Sequence, residues 1–272
     1  MSLSEKNSYI LGTDQDELHR LGVQHQVWSS EALRGWNAAG FKHGDVLLDL
    51  GCGPGYCSQE LAYITGREGK VIGIDLSEGY IAHLNEVSRL HGLRIETICA
   101  DFADMQLETE SLDGMYCRWA LAWVPDAEGI LKKVHQALRP GGRMVIHEYY
   151  DWSTHQTTPE MPDLKKAIAA ALQSFQDSEG EIDVGRYLPG ILEGMDMDIL
   201  SYRPMQKVVT PHEFEWQWPN SFYPNYFPRL VDMGYLTSEE AEQAMEDMKR
   251  LSETPGASLF CPAMVEIIAE KR

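Results

Sequence analysis

From Asp45 onward, short apolar runs alternate with stretches in which apolar residues recur every three or four positions, the pattern of βαβ units built on a mainly parallel sheet. Runs over Val46–Leu50, Lys70–Asp75, 94–100, Leu112–Arg118 and 143–148 predict five strands. Helices are predicted between them over 56–65, 78–91 and 126–138. Leu61 with Ile64, then Ile81, Leu84, Val87 and Leu90, then Ile130, Leu131, Val134 and Leu138 each share one face. Ser77 stands where an N-cap belongs, and Pro140-Gly141-Gly142 stops the third helix.

After Tyr150, Leu164, Ile168, Leu172 and Phe175 mark a further helix, and 177–190 reads as loop. Residues 197–209 predict a sixth strand, and 258–270 contain a seventh. Between them lies an insertion rich in rings and prolines, with Phe214, Trp216, Trp218, Phe222, Tyr223, Tyr226 and Phe227. It closes with a helix that opens on Thr237 and Glu240 at capping-box spacing. The segment before Asp45 is helical in pattern through Leu18, Leu21, Val27 and Leu33. The expected organisation is an N-terminal helical flap over 1–41 and a core over 42–209 with a helical excursion at 155–195. An aromatic-rich cap over 210–257 and a final core strand over 258–272 complete it.

A chain of 272 residues suits one large α/β domain with an embedded cap. With 23 Lys and Arg against 42 Asp and Glu, the net charge of -19 disfavours nucleic acid and anionic membrane surfaces as partners. The five cysteines are odd in number and lack a C-x-x-C pair, so neither a disulfide framework nor a zinc knuckle is expected, and no residues have metal-ligand spacing. The first residues lack the order of a secretory signal and no 18 consecutive apolar residues occur, which predicts a cytoplasmic protein. No pattern points to an oligomeric state.

The segment carrying most chemistry is Leu48-Asp49-Leu50-Gly51-Cys52-Gly53-Pro54-Gly55, a strand that ends in glycines before a helix. Glycines there let the backbone approach a ligand closely. A dinucleotide fingerprint G-x-G-x-x-G would need glycine at position 56, where Tyr56 stands, which disfavours an NAD-dependent oxidoreductase. Asp49 just before the loop suits a cationic ligand better than a pyrophosphate. Asp75 ends the second strand, 20 residues after Gly55, where a carboxylate can accept ribose hydroxyls, and Asp101 with Phe102 follows the third strand. Leu76 or Phe102 would pack on a base.

This series, completed by Leu138-Arg139-Pro140-Gly141-Gly142, resembles the successive motifs of class I S-adenosylmethionine-dependent methyltransferases, most closely the small-molecule branch that includes the ubiquinone and menaquinone biosynthesis enzymes. The resemblance runs over about residues 42–149 and implies a Rossmann-like fold, a seven-stranded, mostly parallel sheet with an antiparallel last hairpin. It implies S-adenosylmethionine as cofactor and S-adenosylhomocysteine as product. By the same likeness Asp49, Gly51 and Gly53 would hold the methionine half, Asp75 the ribose, Asp101 and Phe102 the adenine, and the Arg118 backbone the amino group.

An activated sulfonium chiefly needs its acceptor aligned and water excluded. His147 and Glu148 face opposite ways by strand alternation, and His147 is the expected base. Trp119 and Trp123 after the fourth strand, with Trp216 and Tyr223 of the cap, are expected to line the pocket of a small-molecule acceptor. Among Tyr9, Arg20, His25 and Trp28 of the leading segment, Arg20 is expected to reach the cofactor's carboxylate. The competing readings are a binding module without catalysis and a methyltransferase acting on a protein partner.

Overall fold

The computed structural model describes residues 15–272. In chain order its main elements are α1 (Gln15–Ala39), β1 (Val46–Leu50), α2 (Tyr56–Thr65), β2 (Lys70–Asp75), α3 (Glu78–His91), β3 (Ile95–Cys99), β4 (Leu112–Arg118), α4 (Ala127–Ala137) and β5 (Leu138–Asp151). There follow β6 (Gln156–Thr158), α5 (Pro162–Gln176), α6 (Leu188–Gly194), β7 (Met197–Met205), β8 (Val208–Val209), α7 (Gln217–Asp232), α8 (Ser238–Glu253), β9 (Ser258–Phe260) and β10 (Ala263–Lys271). They divide into two compact units.

The larger unit comprises Trp28–Thr154, Phe175–Lys207 and Pro262–Arg272. Its sheet has the order β3-β2-β1-β4-β5-β10-β7. The pairs from β3 to β5 are parallel, and β10 runs antiparallel to both β5 and β7. This is the α/β, Rossmann-like arrangement with an antiparallel last hairpin. β1 is a continuous apolar run apart from Asp49 because helices cover both sheet faces. On one face Trp36, Phe41, Leu61 and Ala62 pack with Leu47, Val71, Tyr116 and Val145, and near the glycine loop Ile81 and Leu84 pack with Cys52. The Ser77 side chain accepts from Tyr80 N, and Asp126 accepts from Gly129 N, so α3 and α4 begin on side-chain caps.

The smaller unit, in the described residues, takes in 15–27, His155–Ser174 and Val208–Cys261. Its three-stranded sheet has the order β6-β9-β8. The capping box of α8 is formed on both sides by Thr237 and Glu240. Buried Asp247 accepts from the amides of Asp163 (2.8 Å) and Leu164 (3.1 Å), satisfying donors in the first turn of α5.

Four local expectations change. The sixth strand stops at Met205, and Val208–Val209 pairs instead with β9 in the small sheet, the polar Gln206-Lys207 step separating them. The 258–270 stretch is two strands, because Pro262 lacks an amide to continue a ladder. β5 begins at Leu138, earlier than expected. Pro140-Gly141-Gly142 lies within it, at a register shift against β4, with Gly141 at φ 78°. Part of the predicted loop is α6, whose Leu188 and Leu192 are four apart and buried. Among the described residues no helix is long and apolar enough to cross a membrane.

Candidate functional site

The chain leaves β1 into a loop sewn to β2, with the amides of Gly51 and Cys52 both donating to Ile74 O (2.9 and 3.0 Å). Gly51, Gly53 and Gly55 all have positive φ, at 76°, 52° and 86°. Their surroundings separate them. A Cβ at Gly51 would stand 2.4 Å from that of Ala120, and one at Gly55 would stand 2.2 Å from Leu84 Cδ1. A Cβ at Gly53 would meet nothing within 4 Å. Gly51 and Gly55 therefore answer to the protein's own packing, while Gly53 bares its backbone to open space, as a close ligand requires.

Asp49 lies beneath this loop, 2 % exposed, and accepts a 2.5 Å hydrogen bond from Ser58 Oγ. Burial pushes its carboxyl up to about 6, against the lowering pull of Ser58 and of the Arg118 charge. A cationic group brought next to it would favour the ionised form. At the end of β2, Asp75 Oδ2 accepts from Gly53 N (2.8 Å) and Oδ1 from Ser77 N (2.9 Å). Burial raises its pKa while these bonds lower it. A carboxylate offers about four acceptor positions, so roughly two remain for hydroxyls. Leu76 is 44 % exposed beside it. Two residues beyond β3, Asp101 is exposed and accepts from Ala103 N (2.8 Å). Half-buried Phe102 has its ring edge 3.6 Å from the position of a Gly51 Cβ. These donors, acceptors and apolar faces at the carboxyl ends of β1, β2 and β3 fit a nucleoside that carries a positive charge.

At the end of β4, Arg118 is half-buried with its guanidinium 5.1 Å from the Trp119 ring centre. Trp119 adopts φ 54°, stacks on Tyr149 (5.9 Å, 22°) and meets Trp28 edge-on (5.7 Å). Trp123 sits edge-on to Phe175 at 5.1 Å.

His147 is placed otherwise than expected. It is fully enclosed, with Nε2 3.0 Å from Glu266 Oε2 and Nδ1 3.3 Å from the Tyr116 hydroxyl. Its ring lies on the side of α1, since a Cβ at Gly35 would stand 3.2 Å from Nε2. Burial lowers its pKa more than Glu266 raises it. Both ring nitrogens being engaged, the geometry offers neither to a substrate. Glu148, on the opposite face, is the one on the glycine-loop side. Its Oε1 accepts from the amides of Ala120 (2.9 Å) and Leu121 (2.8 Å), and Ala120 abuts Gly51. Strand alternation already required one of the two to face that way. What the sequence hides is the long-range partner Glu266 that claims the histidine.

Three expected residues lie in the smaller unit. Arg20 is buried and forks onto Glu17 with two 2.6 Å hydrogen bonds, with a third to Gln24 (2.8 Å). Trp216 is buried. Tyr223 is fully buried, stacks on Phe227 and donates its hydroxyl to His155 Nε2 at 2.6 Å. His155 donates through Nδ1 to Phe260 O (3.1 Å), and burial brings its pKa down to about 4, so it is neutral. These contacts make Tyr223 part of that unit's core. Tyr9 lies outside the described residues.

A family model described as a methyltransferase domain matches residues 41–198. The demethylmenaquinone methyltransferase of Lactococcus lactis is 29% identical over 184 residues, 61% of this chain and 69% of that protein. The sterol 24-C-methyltransferase of Saccharomyces cerevisiae is 31% identical over 113 residues, 41% of this chain and 29% of that protein. The chain thus spans under a third of one of these relatives and about two thirds of the other. In fold it is similar to the YcgJ protein of Bacillus subtilis, at a TM-score of 0.59 and 12% identity over 91% of this chain and 99% of that one.

Proposed function

From a chain that belongs to the methyltransferase-domain family, we propose an enzyme that binds S-adenosylmethionine at the carboxyl ends of β1–β3 and methylates a small-molecule acceptor, releasing S-adenosylhomocysteine. The observation that carries the reading is the buried Asp49 carboxyl beneath the open backbone of Gly53. Burial is the main cause of its raised pKa, and an ammonium or sulfonium brought alongside offsets that burial in favour of the charged form.

When bound, the cofactor supplies an already activated methyl group. The chain's own residues then bind, orient and exclude water. Asp49 would hold the methionyl ammonium, and the open backbone of Gly53 would admit its close approach, with Gly51 packed behind the loop against Ala120. Asp75, with roughly two acceptor positions left, takes the ribose hydroxyls. Leu76 and Phe102 pack on the adenine, whose amino edge Asp101 reads, and the Arg118 backbone accepts from the amino group. Trp119 and Trp123 present flat apolar surface toward the acceptor. The names of the curated relatives, a quinone and a sterol methyltransferase, support an acceptor of apolar, ring-containing class. His147 is given no part in proton transfer, because its nitrogens already serve Glu266 and Tyr116.

Titration calorimetry with S-adenosylhomocysteine and a parallel thermal shift with NAD test the reading. Saturable binding and a raised melting temperature with the first alone is the expected result. A rise with NAD and none with S-adenosylhomocysteine overturns it.

A further inference from the structure

We propose that Glu148 is a positioning residue for the cofactor site, clamping the turn after β4 against the glycine loop. The inference rests on the reading that the glycine loop holds the cofactor. Glu148 is fully buried at the end of β5, and a single oxygen, Oε1, takes the amides of Ala120 and Leu121 at 2.9 and 2.8 Å. Cys117 Sγ approaches the same oxygen at 3.9 Å. The Ala120 so held is the residue whose side chain fills the space behind Gly51, where even one added methyl would come within 2.4 Å. The clamp therefore acts on the residue whose side chain packs behind Gly51.

The residue just before Ala120 is Trp119, whose φ of 54° is unfavourable for a bulky L residue. Such a conformation persists only where the surroundings over-determine it. Hydrogen bonds to the next two amides supply part of that constraint, and stacking on Tyr149 supplies more. Glu148 thus ties three things together: the packing behind Gly51, the turn, and the direction of the Trp119 ring. Its Oε2 is buried with no hydrogen-bond partner at good geometry among the described residues, and burial pushes the group up to about 8 against the lowering pull of the Leu121, Ala120 and Ala122 amides. Burial thus favours the neutral acid, which holds the two amides through its carbonyl oxygen.

Glutamine keeps the carbonyl at the same reach, whereas aspartate keeps the acid but shortens the arm by one methylene. Calorimetry with S-adenosylhomocysteine on the wild type, Glu148→Gln and Glu148→Asp, with amide exchange at Ala120 and Leu121, separates reach from charge. The expected result is Gln within about two-fold of wild-type affinity with protected amides, and Asp weaker by about ten-fold with both amides exposed, the scale of a buried hydrogen bond lost or bent. Asp binding as wild type, or Gln as weak as Asp, overturns the clamp. Should the Asp variant not fold, exchange in the Gln variant decides, retained protection supporting the clamp and lost protection overturning it. Absence of binding by the wild type defeats the cofactor reading instead, and the exchange data then judge the clamp alone.

Discussion

Gly51→Ala and Gly53→Ala are chemically identical substitutions two residues apart, and the structure assigns them opposite consequences. Both positions have left-handed backbone, at φ 76° and 52°, which disfavours an L side chain by about 1–2 kcal/mol, partly offset by about 0.4–1 kcal/mol from a stiffer unfolded chain. At Gly51 the new methyl also lands 2.4 Å from Ala120 Cβ, on a residue whose amide is held by Glu148, so the clash is relieved only by moving backbone. Overpacking of that kind adds about 1–3 kcal/mol. The sum is roughly 2–4 kcal/mol for Gly51→Ala and about 1 kcal/mol or less for Gly53→Ala. In a chain of this size those figures correspond to melting shifts of roughly 5–15 °C and of a few degrees. Affinity runs the other way at Gly53. A methyl standing in the approach of a ligand costs about 1–3 kcal/mol, or roughly ten- to a hundred-fold in Kd for S-adenosylhomocysteine. Scanning fluorimetry of the ligand-free variants, followed by calorimetry, measures both. Wild-type affinity in Gly53→Ala would refute the assignment of its open face to a ligand, and a Gly51→Ala protein as stable as wild type would refute the packing argument.

Asp75→Ala should lower cofactor affinity by at least about ten-fold, while the loss of its bonds to Gly53 N and Ser77 N costs about 1–3 kcal/mol in stability. Calorimetry beside urea melts checks the ratio, and a melt shifted without a change in Kd contradicts the ribose assignment. Asp49 has a folded pKa raised from 3.8 to about 6, so the stability it contributes is present below pH 4 and lost as pH rises through about 6. Two units correspond to about 3 kcal/mol, so urea melts of ligand-free protein at pH 4 and 7 should show a slope that Asp49→Asn flattens. Cofactor affinity should move oppositely, falling as pH drops below about 6, and a pH-independent Kd from 5 to 7 would contradict a role for its charge. His147→Gln should destabilise the fold by about 1–3 kcal/mol, because it disturbs the enclosed contacts to Glu266 and Tyr116, with S-adenosylhomocysteine affinity within about two-fold of wild type. A large loss of affinity at unchanged stability would return His147 to the site.

The legible part of this protein is local. Strands β1 to β4 and helices α2 to α4 follow from apolar period, and some of their ends from Ser77 and the glycine cluster, because each of these acts within a few residues of itself. The loop before β2 and the acids at Asp49 and Asp75 were readable for the same reason: a strand end is a position in the sequence before it is a place in space. Legibility fails where the chain changes partners. Met205 and Val208 look like one strand, yet β7 pairs with β10 and β8 with β9, and pairing partners 50 residues or more away leave no mark on the period. The aromatic segment from Trp216 to Phe227 read as a lining. Its rings are largely buried, and the Tyr223 hydroxyl is spent on His155, a residue 68 positions earlier.

The pair His147 and Glu148 shows where pattern ends and electrostatics begin. Alternation along β5 forces one side chain to each face, and the sequence carries that much. Choosing between them on intrinsic pKa favours histidine, since an unperturbed imidazole titrates near neutrality and a glutamate does not. The fold inverts the choice. Glu266, facing His147 from β10, takes the imidazole into a cluster with half-buried Arg203 and exposed Arg34, which satisfies it and removes it from reach. Glu148, given amides and no cation, is driven by burial to the neutral form that its place beside the turn can accommodate. The titratable group closest to neutrality in isolation thus becomes structural. The one farther from it becomes the group that holds the turn beside the glycine loop through its carbonyl oxygen.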